Sequence, residues 1–425
     1  ALGGLLDARR ARGGVIAGIA IAAWFQISSE GLPYAALIGG VLALHQWTDR
    51  QEASRFIAYA LTLGIAAPSM LLLLRGVSAF AATQCDALSA VYAWPLVALA
   101  IATAIAATLL GFATPMRRIG IAAIGGGAAA LLFWSVGGPC LSGDPFAALG
   151  PSAYRLWYLG VMEGRPVWEQ TPALMGVVLL PPIAGLVGAL AAARVETARR
   201  GQWLMLALLI AGATLVAATV MRALSVAHLF ALPAIGWSLI ALFSQLRANR
   251  SIAARVIAPV ALLSLTPIGL STLWIAATPA TPARGPASAT CRGPVLGQAL
   301  GGLPPSLLFT PLDLGPDILL RTQHSVVGTA HHRNAVGITA VIEGFVAPPT
   351  QARMILAKLN AGRGAAYIVT CAGLAEDMQY ARENPEGLAA MLARGRVPDW
   401  LEQVPVAAPL RLYKVWGLPD PVTRR

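Results

Sequence analysis

The chain has 425 residues, of which 57% are hydrophobic and only 12% charged, with a mean hydropathy of +0.67. A soluble globular protein carries about twice that charged fraction, so a soluble enzyme or a solvated binding module is excluded and a polytopic membrane protein is expected. The net charge of +12 then reads as arginine-rich loops that orient helices in a lipid bilayer, not as a surface for nucleic acid.

The chain opens on "ALGGLLDARRARGG", with no initiator methionine and no signal-peptide pattern, so a further N-terminal portion is expected upstream. Apolar segments follow at 14–27, 32–47, 56–75, 92–112, 119–137, 173–193, 203–221, 226–246 and 256–276. The first two, split by "SSEGLP", form a short helical hairpin over 14–47 with Pro33 in the first turn of its second arm. Arms of about 15 residues reach only about 22 Å, less than a hydrocarbon core of about 30 Å. The tip residue Glu30 would then lie at or just below the outer surface, as a functional carboxylate or as one reaching to headgroups.

Alternate loops carry the arginines. Arg9, Arg10, Arg12, Arg50, Arg55, Arg117, Arg118, Arg194, Arg199, Arg200, Arg247, Arg250 and Arg255 make 13 on one side, against four (Arg75, Arg155, Arg165 and Arg222) on the other. That asymmetry assigns the first set to the cytoplasm. The loops 76–91 and 138–172, and everything after about 277, then face outward, which in a bacterial inner membrane means the periplasm. Cys85, Cys140, Cys291 and Cys371 all fall on this outer side. Disulfides persist in oxidising compartments, and the expected pairs are Cys85 with Cys140 and Cys291 with Cys371; four buried thiols are the alternative.

The outer stretch 138–172 is rich in Trp and Tyr and holds Asp144, Glu163 and Glu169. It is expected to be a helix lying along the membrane surface, although aromatic faces with carboxylates also suit sugars. Arg222 closes one helix at the outer side, where its guanidinium could hold a lipid-linked phosphate or anchor to headgroups. His228 is expected at the same level, and Arg75 is a weaker candidate of the same kind.

The transmembrane domain is thus 1–276, and the Pro-, Ala- and Thr-rich stretch 277–295 is a linker. Residues 296–425 form a small extracytoplasmic α/β domain. Its strands are expected in "SLLFTPLD", "SVVGTA", "AAYIVTC" and "LRLYKVW", with "DILLRT" a short helix or edge. An amphipathic helix should end at Gly362, and "PEGLAAMLARGRVPDWLEQV" should be helical. The loop after "SVVGTA" carries His324, His331, His332, Arg333 and Asn334. Adjacent His331 and His332 would point to opposite faces of a strand, and no carboxylate accompanies them at ligand spacing, so no metal site is assigned. Arg333 and Asn334 could donate to a polar ligand or to the membrane domain; a polar loop at a strand end is the alternative. No nucleotide-binding motif, no GxSxG, no paired intramembrane charges and no internal repeat is evident.

With "SSEGLP" at a hairpin tip, "MRALSVAH" at an outer helix end and "LLRTQHSVVGTAHHRN" in an outer α/β domain, the chain resembles the type C glycosyltransferases. These are membrane enzymes that use polyprenyl-phosphate-linked sugars. The resemblance covers most of the chain as a pattern of elements. It implies transfer of a sugar from a polyprenyl-phosphate donor to a periplasmic acceptor. It also implies that the catalytic acids, and any divalent metal they hold, lie in a first outer loop upstream of residue 1. The alternative is a non-catalytic assembly or transport component whose outer domain binds a partner.

Overall fold

A computed structural model of this chain describes residues 2–142, 149–247, 252–279, 291, 293–359 and 365–419; Asp144, Arg250, Gly362 and most of 277–295 lie outside them. Two units result, one of residues 1–144 with 162–279 and one of residues 145–161 with 280–425.

The first unit is helical. It starts with α1 (Leu2–Leu5), the hairpin arms α2 (Arg10–Ile27) and α3 (Gly31–Thr48), α4 (Glu52–Ala81), α5 (Ala90–Leu110) and α6 (Pro115–Val136). The chain then supplies α7 (Pro151–Leu156) to the other unit. It returns for α8 (Pro172–Val195), α9 (Arg200–Thr219), α10 (Leu224–Arg247), α11 (Ile252–Leu262) and α12 (Pro267–Ala277). Among the described residues six helices, carrying α4, α5, α6, α8, α9 and α10, are long and apolar enough to cross a membrane. Leu109, Leu131 and Ile240 stand exposed on them, while alanines such as Ala17, Ala67, Ala189 and Ala213 are fully buried. Large apolar side chains turned outward, with small residues among those packed inside, suit helices solvated by lipid, so the unit is consistent with a multi-pass membrane protein.

Three helices start in the same way. Thr114, Thr171 and Thr266 each accept a hydrogen bond from a main-chain N–H in the first turn, at the start of α6, α8 and α12, with Pro115, Pro172 and Pro267 next. Threonine satisfies an N–H that the helix cannot, and proline at the first position lacks one. The third of these starts corrects the continuous span expected at 256–276. There the chain bends by 78° between the helical stretches Pro259–Leu265 and Pro267–Ala277. Beyond the bend, Trp274 Nε1–H donates to the Pro172 carbonyl oxygen at 2.8 Å, and its indole occupies the space that a Cβ on Gly176 would need.

The hairpin arms are 18 residues each, about 27 Å, and so longer than expected. Arg55, assigned to a loop by charge counting, is fully buried beside Glu52. Its Nε donates to Glu52 Oε2 at 2.7 Å, and its other nitrogens reach the carbonyls of Gly4 and Asp7. Arg10 pairs with Glu52 at 2.9 Å and with Asp49 at 3.5 Å. A paired, buried charge network therefore exists where none was expected.

The second unit is α/β. Its five strands are β1 (Leu307–Phe309), β2 (Ser325–Val326), β3 (Tyr367–Cys371), β4 (Leu401–Val404) and β5 (Leu410–Val415), in the order β2-β1-β3-β5-β4. β1 runs parallel to β2 and β3, and β5 antiparallel to β3 and β4. Strand β3 is buried throughout, so its alternating side chains enter two cores. Ile368 joins Phe309 and Tyr413 in one, while Tyr367, Val369 and Cys371 join Leu308 and Leu412 in the other. The helices are α7, α13 (Pro294–Leu300), α14 (Gly315–Arg321), α15 (Ala335–Val346), α16 (Pro349–Ala357), α17 (Ala375–Glu383) and α18 (Leu388–Ala393).

Three expectations change here. The helix expected through 385–404 stops at α18, where Gly395 takes a left-handed φ of 73°, and Leu401–Val404 is strand β4. No continuous surface helix spans 138–172; among the described residues that stretch is α7 and one-turn 3-10 pieces, with Ala153 and Leu156 of α7 buried in the α/β core. The domain boundary is accordingly discontinuous, because 145–161 belongs to the second unit. The cysteine pairs are the expected ones, Cys85 with Cys140 and Cys291 with Cys371, with Cα–Cα separations of 5.0 and 6.2 Å.

Candidate functional site

At the hairpin tip, Ser28 Oγ accepts the Glu30 main-chain N–H at 3.2 Å and fixes the turn. Glu30 precedes α3 without capping it through its side chain, so its carboxylate is available. Arg222 sits in a 3-10 turn, Met221–Ala223, between α9 and α10. The two meet at 2.5 Å, with 46% of the Arg222 side chain and 42% of the Glu30 side chain exposed. Two residues 192 positions apart, singled out separately from the sequence, thus form one polar site. Around it, Tyr34 donates to the Ala223 carbonyl oxygen at 3.3 Å and stacks on Trp24 at 5.2 Å. Arg75 donates to the Gln26 carbonyl oxygen at 2.5 Å. The site is therefore anchored on both sides of the ion pair. An exposed pair of this kind contributes only about 0–1 kcal/mol, so the guanidinium can exchange Glu30 for another anion at little cost. His228 does not join it by any contact seen among the described residues. That residue faces the main chain of α8 at Val177 and Val178, and its buried Nε2 has no hydrogen-bond partner among the described residues.

The histidine loop lies in the second unit and is largely architectural. His324 is buried; Nδ1 accepts the Ser306 N–H at 3.2 Å, and Nε2 lies 3.0 Å from the Leu300 carbonyl oxygen. Both ring nitrogens are used, which leaves none for a ligand. The strand before the loop is only Ser325–Val326, so His331 and His332 are not on opposite strand faces. Instead they enter a 3-10 turn with their rings stacked at 4.8 Å, and His331 Nδ1 accepts the Arg333 N–H at 3.3 Å. Asn334 caps α15, its Oδ1 accepting the Gly337 N–H at 2.9 Å while Nδ2 donates to the Val327 carbonyl oxygen at 2.9 Å. Its two amide ends are thereby committed to the fold. Arg333 is exposed at the same turn.

A feature missed in the sequence lies in the same unit. A cavity of about 670 Å³ is walled by Trp157, Asp313, Glu376, Gln379, Tyr380 and Arg382 among others, with Ala330 of the histidine loop at its edge. Glu376 accepts hydrogen bonds from the N–H groups of Leu312 and Asp313 at 2.7 and 2.8 Å and a further one from the Tyr380 hydroxyl. Burial, with Asp313 adding like charge, pushes its carboxyl up to about 7. Next to it, burial raises Asp377 to about 8; its Oδ2 accepts the Cys371 N–H at 2.9 Å, and its buried Oδ1 has no hydrogen-bond partner among the described residues. A carboxyl that keeps its proton near neutral pH can donate a hydrogen bond as well as accept one. The signal in the sequence was "AEDMQY", an acid pair opening a helix with Tyr380 one turn on.

Among the described residues no three His, Cys, Asp or Glu side chains group in a way that could hold a metal ion. The described residues therefore offer no ligand set for the divalent metal that the resemblance implies. No protein-family model matches the chain, and no curated protein matches it.

Proposed function

We propose that this chain is part of a type C glycosyltransferase-like membrane protein that handles a polyprenyl-phosphate-linked sugar at the hairpin-tip end of its helical unit. In this reading the arginine-rich helix ends face the cytoplasm of a bacterial inner membrane, and the tip and the α/β unit face the periplasm. The observation that carries it is the Glu30–Arg222 pair, a half-exposed arginine held at the tip of an apolar hairpin. A lipid tail cannot leave the bilayer, whereas its phosphate must meet water-borne reactants at the membrane surface. Arg222 would bind that phosphate by exchanging Glu30 for it, and would stabilise the charge that grows as the sugar leaves. Tyr34 and Arg75 would hold the surrounding turns in place. The cavity of Trp157, Asp313, Glu376 and Arg382 would take the acceptor, since an aromatic wall with carboxyl donors and acceptors suits a sugar.

The test is a binding comparison on the full-length protein in lipid nanodiscs, with polyprenyl phosphate against the same polyprenol lacking phosphate. Phosphate-dependent binding that is weakened by Arg222→Ala and unchanged by Arg117→Ala supports the reading. Equal binding of both lipids overturns it.

A further inference from the structure

The opposite end of the helical unit carries a second, distinct opening. The cavity, of about 900 Å³, has Arg9, Arg10, Arg12 and Arg50 on its rim and not one carboxylate among its lining residues. Arg10 is paired with Glu52 and Asp49, and Arg12 with Asp7. Among the described residues the side chains of Arg9 and Arg50 have no ion-pair partner, and both are exposed. Two uncompensated guanidinium groups therefore stand at the mouth, braced by two that are held in place.

Below the rim the lining changes character. Ile57 and Leu61 of α4, with Phe112 after α5, form an apolar wall. Helix α4 belongs to a span apolar enough to cross a membrane. From Glu52 to Leu61 its rise is about 14 Å, roughly the depth of one leaflet of a hydrocarbon core of about 30 Å. A free phosphate would use the rim alone, and a neutral apolar molecule the wall alone. An anionic phospholipid uses both, its phosphate forked by arginines and its acyl chain laid along α4.

We propose that this groove binds one anionic phospholipid, with Arg9 and Arg50 as the phosphate-recognising residues. The site is separate from the Glu30–Arg222 pair and independent of what that pair does.

The experiment is a titration of the full-length protein in neutral detergent, followed by native mass spectrometry. The probes are dioleoylphosphatidylglycerol, dioleoylphosphatidylcholine and inorganic phosphate. Phosphatidylglycerol should bind at least tenfold more tightly than phosphatidylcholine. The double variant Arg9→Ala/Arg50→Ala should weaken it by roughly 25-fold, about fivefold per arginine at a membrane surface. A second variant, Leu61→Trp, fills the wall without touching the rim; it should weaken the phospholipid and leave inorganic phosphate unaffected. Arg199→Ala/Arg200→Ala, exposed arginines outside the groove, should change binding less than twofold. Equal affinity for the two lipids overturns the proposal, as does equal loss from the two double variants. Inorganic phosphate binding as tightly as the lipid, with Leu61→Trp silent, also overturns it and reassigns the rim to the free ion.

Discussion

Arg55 and Arg222 each meet a glutamate, but Arg55 does so with none of its side chain exposed and Arg222 with nearly half. At the first, each guanidinium nitrogen is engaged, by Glu52 or by the carbonyls of Gly4 and Asp7, so the charge is part of the packing of α1, α2 and α4. At the second, one ion-pair contact is made among the described residues, and nearly half of the side chain is exposed. The same pair of residue types thus serves as a fastening when buried and as an exchangeable contact when wet. Burial separates the two roles, and so does spacing, since Glu52 is three residues from Arg55 whereas Glu30 is remote in sequence from Arg222.

The largest expected effect tests the fastening. Arg55→Ala leaves the buried Glu52 with Arg10 as its remaining arginine partner and two main-chain carbonyls without their donor, and should lower stability by about 2–4 kcal/mol, read from unfolding in mixed detergent micelles. Arg222→Ala in the same assay should change it by less than about 1 kcal/mol. Similar losses at both positions would erase the comparison.

Next comes the exchangeable contact. Arg222→Ala should weaken polyprenyl phosphate binding by about 1.5–3 kcal/mol, the worth of a charge-assisted hydrogen bond, which is roughly tenfold to a hundredfold. Arg222→Lys should restore only part, because an ammonium cannot reproduce the fork. Glu30→Gln, which frees the guanidinium from a competing anion, should tighten binding; weaker binding would mean that Glu30 positions Arg222 instead of competing for it.

Glu376 and Asp377 handle charge in a third way, by keeping a proton. Their folded-state values of about 7 and about 8 lie above the ordinary carboxyl range, so the folded unit binds protons more tightly than the unfolded chain. Stability should therefore fall as pH rises from about 4 to about 8, by at most about 1.4 kcal/mol per pH unit for each group, and level off above that. Hydrogen exchange of the β3 and β5 amides, corrected for intrinsic rates, would show it, and Asp377→Asn should flatten the profile. Stability that rises with pH across this window would refute the assignment. The smallest effect is expected at Asn334→Ala, where loss of the cap should cost about 1 kcal/mol and speed exchange in the first turn of α15 while polyprenyl phosphate binding stays unchanged.

Much of the helical unit was legible because runs such as 92–112 and 173–193 leave no polar face for water, and such a run has few places to go but lipid. The cysteine pairs were legible for a related reason, since counting arginines assigns all four to the same side of the chain. The break at Thr266–Pro267 was also written in the chain, in the same Thr-Pro start that opens α6 and α8. Hydropathy averages over such a signal, because both halves are equally apolar. Asn334 carried the ordinary residue type of a helix cap directly before the apolar run of α15, yet its amide is equally suited to a ligand, and only the Gly337 and Val327 contacts decide between them. Burial of Arg55 could not be read at all. It depends on Gly4, Asp7 and Glu52 converging from three elements, and charge counting places every arginine near a helix end in a loop. The acid cavity was hidden likewise, since Trp157 and Glu376 are 219 positions apart and lie in one unit only because 145–161 crosses over to it.

The seat of Trp274 has a consequence for how this chain can change. The indole lies where a side chain on Gly176 would project, and it is tied to the Pro172 carbonyl at the first turn of the same helix. The joint is therefore a lock whose keyhole is a missing methyl group. Gly176→Ala should dislodge α12 from α8 although it alters one exposed tryptophan and nothing in the deep core, and shrinking Trp274 to Leu in that background should let the helix settle again. A side chain at position 176 is thus expected to need a smaller one at position 274, although nearly a hundred residues of chain separate them.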